Sequence, residues 1–156
     1  RGASIGLELT TLDREQKRRS LRFMDGKLPK GAILLSSSVT VAAHDQAAWL
    51  RHPERLLGIS VLPSFAARPL VELAPCMETA QGTLEAATRF FAGLRREISV
   101  VQDRVGMVAP RVVCQIINEA CFAVGENIAS AADSNACSTV APRPTMPMSA
   151  SWSKYS

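Results

Sequence analysis

The stretch GISVLPSFAARPLVELAP, residues 58–75, sets one carboxylate, that of Glu72, in a short apolar run bounded by Pro69 and Pro75. Apolar residues on both sides of Glu72 predict a strand that is buried on both faces. A carboxylate there must pair with a cation, accept hydrogen bonds or take up a proton, because burying an unpaired charge is costly. Glu72 is therefore a candidate functional acid. A structural alternative stays open, in which Arg68 or a loop amide satisfies it.

The composition is that of one globular core. The 156 residues are 47% hydrophobic and 21% charged, which is enough apolar material for a core and too much charge for a membrane protein. No apolar run is long enough to span a bilayer, and the N-terminal residues lack the layout of a secretion signal. We therefore expect a cytoplasmic protein with no membrane partner.

The cysteines and histidines are too scattered to predict a metal site. No CxxC pair occurs among the four cysteines, which are Cys76, Cys114, Cys121 and Cys137. The two histidines, His44 and His52, are the remaining residues that could help bind a metal. Structural zinc sites need closely spaced ligands of these types. The sequence predicts reduced thiols and no metal.

The positive charge is concentrated in one segment. The net charge is +4, and five cations crowd residues 13–22, DREQKRRSLR. No aromatic side chain is interleaved there to stack on bases, so we expect no nucleic-acid partner. The segment is either a solvated helix face or a site for the phosphates of a nucleotide or coenzyme.

Strand-like and helix-like segments alternate along the first hundred residues. Strands are predicted at 4–10, 32–35, 56–62, 70–74 and 98–101, and helices at 13–25, 41–50 and from 79 onward. Asp25-Gly26 and Pro29 are expected to end the first helix. This alternation predicts an α/β fold with a largely parallel sheet and flanking helices.

The pattern of apolar residues changes after residue 103. Apolar residues recur at steps of three and four from 109 to 124, which predicts one long helix of about five turns. Pro110 is tolerable in its first turn. Cys114 and Cys121 lie near the apolar stripe and are interpreted as core residues. Residues 137–156 have neither period, so we expect an irregular tail with Trp152 and Tyr155 docked at most locally.

From about residue 8 to residue 133 the chain resembles the NAD-dependent 3-hydroxyacyl-CoA dehydrogenase family. The resemblance rests on AILLSSSVT, HPERLLGIS, RPLVELAP, QDRVGMVAPR and INEACF, in that order. It implies a partial Rossmann-like layered sheet over 1–103, the C-terminal half of an NAD-binding domain. Residues 104–136 would be the opening helix of an all-α dimerisation domain, and 137–156 the tail. The chain contains no G-x-G-x-x-G turn to hold the cofactor pyrophosphate.

The resemblance also implies site residues. In the family a histidine takes the proton of the substrate 3-hydroxyl while hydride passes to NAD, and a glutamate twelve residues later holds that imidazole. Glu72 matches the glutamate, but Ser60 stands at the histidine position, and a serine hydroxyl is no base at neutral pH. Pro63 and Pro110 replace two family asparagines. Lys17 matches a cofactor-binding lysine, with one more solvated lysine as the alternative.

Two hypotheses follow. In the first, the chain is a fragment or divergent member of the family, which oxidises 3-hydroxyacyl-CoA to 3-oxoacyl-CoA with NAD, and Ser60 leaves it impaired or inactive. In the second, it is a catalytically silent module for acyl-CoA binding or for assembly. Under either hypothesis we expect a homo-oligomer formed through the helix at 107–124, since its apolar stripe and the sheet edge invite association.

Overall fold

The computed structural model describes residues 4–60 and 69–133. Along the chain it forms β1 (Ile5–Glu8), α1 (Arg14–Lys27), β2 (Ile33–Ser37), α2 (Ala43–Ala47), a 3-10 turn (Pro53–Arg55), β3 (Leu56–Ile59), β4 (Leu70–Ala74), α3 (Gln81–Gly93), β5 (Glu97–Val100) and α4 (Ala109–Gly125). The predicted alternation of strands and helices is confirmed. The chain divides into two compact units, residues 1–111 and 112–156.

The five strands form one sheet in the order β1-β2-β3-β4-β5. The pairs β1/β2, β2/β3 and β4/β5 are parallel, whereas β3/β4 is antiparallel. The prediction of a largely parallel sheet is therefore correct except at the β3/β4 pair, across which the strand direction reverses. The physical reason is chain length, because ten residues separate the end of β3 from the start of β4 and a parallel crossover takes about a dozen or more.

Each face of the sheet packs against helices. On one face, alternate residues of β2, β3 and β4 pack against Ala87 and Phe91 of α3. On the other face, Leu34 and Leu56 pack against Leu21 of α1 and the two buried alanines of α2. The continuous apolar run in β2 arises because both of its faces are covered.

Helix α1 is longer than predicted. Asp13 caps its start by accepting a hydrogen bond from Gln16 N at 2.8 Å. The helix runs through Asp25-Gly26 and ends at Lys27, so the predicted break at Asp25 was wrong. The Asp25 carboxylate does not form hydrogen bonds with nearby backbone groups of the helix, because tertiary partners described below occupy it.

Helix α2 is shorter than predicted. It covers Ala43–Ala47 instead of 41–50, and its N-cap position, Ala42, has no side chain that can cap it. Such a short helix gains little from backbone hydrogen bonds alone, so tertiary contacts must hold it.

Helix α4 begins with Pro110 in its first turn, as predicted. Within α4, Pro110 is the single buried residue. Cys114 and Cys121 are exposed, so the interpretation of both as core residues was wrong. Helical periodicity marks a stripe of side chains, but it does not say whether anything covers them.

Candidate active site

Glu72 lies in the middle of β4 and is 4% exposed. Val108 N donates to its Oε2 at 3.2 Å, and Ala109 N donates to its Oε1 at 2.9 Å. The first amides of a helix have no partner inside the helix and carry its positive end, so they suit a carboxylate. The sequence left two partners open for Glu72, Arg68 or a loop amide, and in the structure backbone amides bind its carboxylate. The alternative partner, Arg68, lies outside the described residues.

Ser60 lies beside Glu72 across the β3/β4 pair. The pairing of Ile59 with Leu73 extends by one residue through a hydrogen bond of 3.1 Å from Ser60 N to the Glu72 carbonyl. Residues directly opposite each other point to the same face, with Cβ atoms about 5 Å apart. The Ser60 hydroxyl and the Glu72 carboxylate thus share one face. Ser99, the register partner of Glu72 in β5, flanks it on the other side.

Neither histidine shares a hydrogen bond with Glu72 in the part of the chain that the structure describes. The His52 ring faces Glu54, with Nδ1 and Oε1 3.6 Å apart. The His44 ring lies at the start of α2, where Nδ1 is 2.9 Å from Oδ2 of Asp103. This hydrogen bond raises the pKa of His44. No described imidazole therefore occupies the place beside Glu72.

Asp103 fastens the segment after β5 to the start of α2. Its carboxylate accepts hydrogen bonds from Ala43 N at 2.7 Å and His44 N at 2.8 Å, which supplies the cap that α2 lacks. Further along, Gly106 N donates to the Ser38 carbonyl at 3.0 Å. Gly106 has φ +78°, a conformation that glycine adopts without strain. The segment thereby delivers the first amides of α4 to Glu72.

Lys17 is 1% exposed, so it is not a solvated lysine. Its ammonium group forms an ion pair with Glu8, the last residue of β1, and donates to the Thr10 carbonyl at 2.8 Å. Burial lowers the pKa of Lys17, and the Glu8 carboxylate opposes that shift. Since an ammonium group has three donors, one donor remains beyond these two contacts. Cofactor binding by Lys17 stays a prediction.

Three buried serines follow one another at the end of β2. The Ser36 hydroxyl lies 2.9 Å from Glu8 Oε2 and 2.5 Å from Gln46 Oε1. Gln46 Nε2 in turn donates to the Val41 carbonyl at 2.7 Å. The hydroxyl of Ser37 is buried and has no hydrogen-bond partner among the described residues. That unpaired hydroxyl is a group a ligand could satisfy, because buried polar groups normally find partners.

Sequence reasoning missed Glu8, Gln46 and Asp103. A signal existed for Glu8, which falls two residues after Gly6 on the inward-facing side of an alternating strand. Its nine-residue separation from Lys17 could not be interpreted without the packing of α1 on β1. Asp103 had no signal, since its partners are sixty residues away in sequence.

Among residues 4–60 and 69–133, no group of three or more His, Cys, Asp or Glu side chains is placed to hold a metal ion. No helix in the same part of the chain has the length and apolar content required to cross a membrane. The position of Pro63 and the tail 137–156 fall outside the described residues.

Polar residues stand where the parallel strands β1, β2 and β3 end. Glu8 ends β1, Ser37 ends β2 and Ser60 follows β3. In layered α/β sheets this edge is where ligands bind. A sheet covered by helices on both faces, with its polar side chains at that edge, defines a Rossmann-like domain.

Comparison with known proteins narrows this class. Residues 2–104 match the family model described as 3-hydroxyacyl-CoA dehydrogenase, NAD binding domain. The chain belongs to this family, and its cofactor by family is NAD. The resemblance inferred from the sequence is therefore confirmed.

Individual relatives agree with the family assignment. A 3-hydroxybutyryl-CoA dehydrogenase of Bradyrhizobium diazoefficiens is 28% identical over 120 residues, covering 76% of this chain and 41% of the relative. A probable 3-hydroxybutyryl-CoA dehydrogenase of Bacillus subtilis is 25% identical over 127 residues, covering 81% and 44%. The crystal structure of (S)-3-hydroxybutyryl-CoA dehydrogenase from Ralstonia eutropha superposes with a TM-score of 0.73 at 26% identity, covering 83% and 46%. The chain thus spans less than half the length of each.

Proposed function

We propose that this chain forms part of an NAD-linked 3-hydroxyacyl-CoA dehydrogenase, and that Ser60 leaves its reaction impaired. The observation that carries the proposal is the pair formed by Ser60 and the buried Glu72. A carboxylate has about four acceptor sites, and two of those on Glu72 are taken by the amides of Val108 and Ala109, just before and at the start of α4. The remaining sites are available to hold a neighbouring donor.

In the family reaction that donor is an imidazole. A histidine at position 60 would present one ring nitrogen to Glu72 and the other to the 3-hydroxyl of the substrate. The carboxylate would fix the tautomer and favour the protonated ring. Ser60 has a single hydroxyl, which Glu72 can orient but cannot turn into a base. Loss of a general base costs about 10²- to 10⁴-fold in rate.

The described residues fit part of the cofactor. When bound, NAD accepts the hydride that leaves C3 of the substrate. The unpaired Ser37 hydroxyl and the remaining donor of Lys17 are hydrogen-bonding groups at the edge where the strands end. A glycine-rich turn of the G-x-G-x-x-G type, which would hold the pyrophosphate, does not occur in the sequence. We assign NAD contacts to Lys17 and leave the phosphate turn unassigned.

An assay of NADH consumption with acetoacetyl-CoA tests the proposal. The chain is expected to turn over slowly or not at all. The variant Ser60→His is expected to raise the rate, and the added change Glu72→Gln is expected to remove most of that gain. Ser60→Asn is the matched control, because it adds a polar side chain without a base. A high rate in the unaltered chain, or an equal rate for the His and Asn variants, would contradict the proposed role of position 60.

The same variant offers a readout that does not depend on turnover. The imidazole of Ser60→His is expected to titrate at a higher pKa than in the double variant with Glu72→Gln, because the carboxylate stabilises the charged ring. Proton chemical shifts of the ring across the pH range measure this directly. Identical titration of the two variants would show that position 72 does not reach position 60.

A silent assembly module is the second candidate, and α4 is the observation that favours it. Val112, Ile116 and Ile117 on α4 are 46%, 37% and 54% exposed. An apolar face of this kind favours self-association, so we propose a homo-oligomer formed through this helix. Light scattering of the chain and of Ile117→Lys measures it. A monomeric wild-type chain at micromolar concentration would refute the oligomer.

A further inference from the structure

A groove lies between the last two turns of α1 and residues 48–51. Its volume is about 630 Å³, within the range of roughly 300–1,000 Å³ that small-molecule pockets occupy. The groove sits at the amino ends of the strands, since α1 ends at Lys27 before β2 begins and Arg51 precedes β3. Ser60 follows the carboxyl end of β3. The groove and the candidate active site are therefore at opposite ends of the sheet.

Three cations line this groove: Arg22, Lys27 and Arg51. The side chains of Lys27 and Arg51 are exposed, and neither has a hydrogen-bond or ion-pair partner among the described residues. Arg22 uses its Nε to donate to the Trp49 carbonyl at 3.2 Å, which positions its guanidinium group and leaves the two terminal nitrogens available. Three cations in the lining of one groove suit a multiply charged anion.

The one carboxylate in the lining, Asp25, is already occupied. Arg55 donates to Asp25 Oδ1 from Nε at 3.1 Å and from Nη2 at 2.6 Å, and Arg51 N donates to Oδ2 at 2.8 Å. The hydrogen bond from Arg55 is the main interaction that lowers the pKa of Asp25, against the opposing effect of burial. Asp25 therefore stays ionised and paired. Asp25 and Arg55 are both buried, so this pair holds the Asp25 side chain in a fixed position in the groove lining.

Aromatic side chains complete the lining. Phe23 is 66% exposed on α1, and Trp49 lies on the facing segment. The Arg14 guanidinium stacks on the Trp49 ring at 5.6 Å from its centre, which holds the indole in place. An exposed phenyl ring beside three cations offers a stacking surface for a heterocyclic base.

We propose that this groove binds a nucleoside diphosphate group, with the phosphates on Arg22, Lys27 and Arg51 and the base against Phe23. This group is carried either by a free nucleotide or by a larger coenzyme. The excess charge of residues 13–22 is then partly functional. Lys17 is buried in its ion pair, whereas Arg22 contributes to the groove.

Isothermal titration calorimetry of the full chain with ADP tests this site. Removing one phosphate contact, in Lys27→Gln or Arg51→Gln, is expected to weaken ADP binding by about tenfold. Arg19→Gln is the matched control, because Arg19 is an exposed cation of the same helix outside the groove. It is expected to change the affinity by no more than about twofold, through long-range charge alone. Equal weakening by all three variants would refute the site.

Further ligands separate the parts of the proposal. Adenosine is expected to bind far more weakly than ADP, and inorganic pyrophosphate more weakly than ADP, since each lacks half of the contacts. Pyrophosphate binding as tightly as ADP would refute the stacking surface. Coenzyme A binding more tightly than ADP would identify a coenzyme as the source, and equal binding would identify the free nucleotide. A single-stranded oligonucleotide that binds better than all of these would overturn the proposal in favour of a nucleic acid.

The altered side chains are exposed, so circular dichroism is expected to show unchanged folding and thermal stability for each variant. The groove variants are also expected to leave any dehydrogenase turnover unaltered. Loss of ADP binding without loss of turnover would separate this site from the dehydrogenase site. The two proposals can therefore be refuted independently of each other.

Discussion

The carboxylate of Glu72 is expected to be a main anchor for the start of α4, and Glu72→Gln tests this. A glutamine side chain keeps the size of glutamate, but its amide nitrogen cannot accept from a backbone amide. One of the two hydrogen bonds, that to Val108 N or that to Ala109 N, is therefore lost. Hydrogen bonds to charged groups contribute roughly 1.5–3 kcal/mol. Loss of the charge at the helix start removes about 0.3–1 kcal/mol more.

The variant Glu72→Gln is therefore expected to lower the free energy of unfolding by about 2–4 kcal/mol. Urea titration followed by circular dichroism, at one fixed protein concentration, measures the change. Glu97→Gln is the control, since Glu97 is an exposed carboxylate on the neighbouring strand, and it should stay within about 0.5 kcal/mol of wild type. A change of that small size for Glu72→Gln would refute the anchoring role and leave the buried acid without an explanation.

Three further perturbations test other contacts. Lys17→Met leaves a buried carboxylate without its cation, and it should destabilise the fold by roughly 3–5 kcal/mol in urea titration; a neutral result would show that the pair is solvated. The hydrogen bond to Asp103 raises the pKa of His44. This contribution to stability is fully present below the unfolded pKa and is lost as the pH rises through the folded one, so the urea midpoint should fall as the pH rises above about 6.5. A profile unaltered by His44→Gln would contradict this. Gly58→Ala would place a methyl group 2.5 Å from a serine oxygen and 3.1 Å from a backbone carbonyl and should cost about 1–3 kcal/mol. Gly82→Ala meets no atom within 4 Å and should stabilise α3 by up to about 1 kcal/mol; equal effects of the two alanines would discount the close packing at position 58.

The structure changes the interpretation of the basic segment at the start of α1. The sequence offered a solvated face or a phosphate site, but the cations of the segment divide into a buried lysine, Lys17, and arginines near the surface. Lys17 is buried beside Glu8. The desolvation of the two charges is unfavourable, and their ion pair and the hydrogen bond from Lys17 to the Thr10 carbonyl offset that cost. Arg14 and Arg22 instead lie against Trp49. Segment charge alone could not separate these outcomes, because they depend on which side of α1 packs on β1.

Local periodicity determined the elements of this protein. The strands predicted at 32–35 and 70–74 and the helices predicted at 13–25 and from 79 onward were each visible as residue types at fixed spacing, since strands and helices repeat every two and every 3.6 residues. A buried acid at Glu72 was visible in the same way.

Only the tertiary structure decided how those elements meet. The antiparallel return of β4 places Ser60 opposite Glu72, and Asp103 fastens the segment that brings two helix amides to that carboxylate. Each of these contacts either joins residues that are distant in the chain or depends on the direction in which a strand runs. Local residue spacing specifies neither the distant partner nor the strand direction. The long apolar stripe of α4 is a further example of what local spacing leaves undetermined. Its periodicity specified a helix, but whether that face is covered depends on what packs against it.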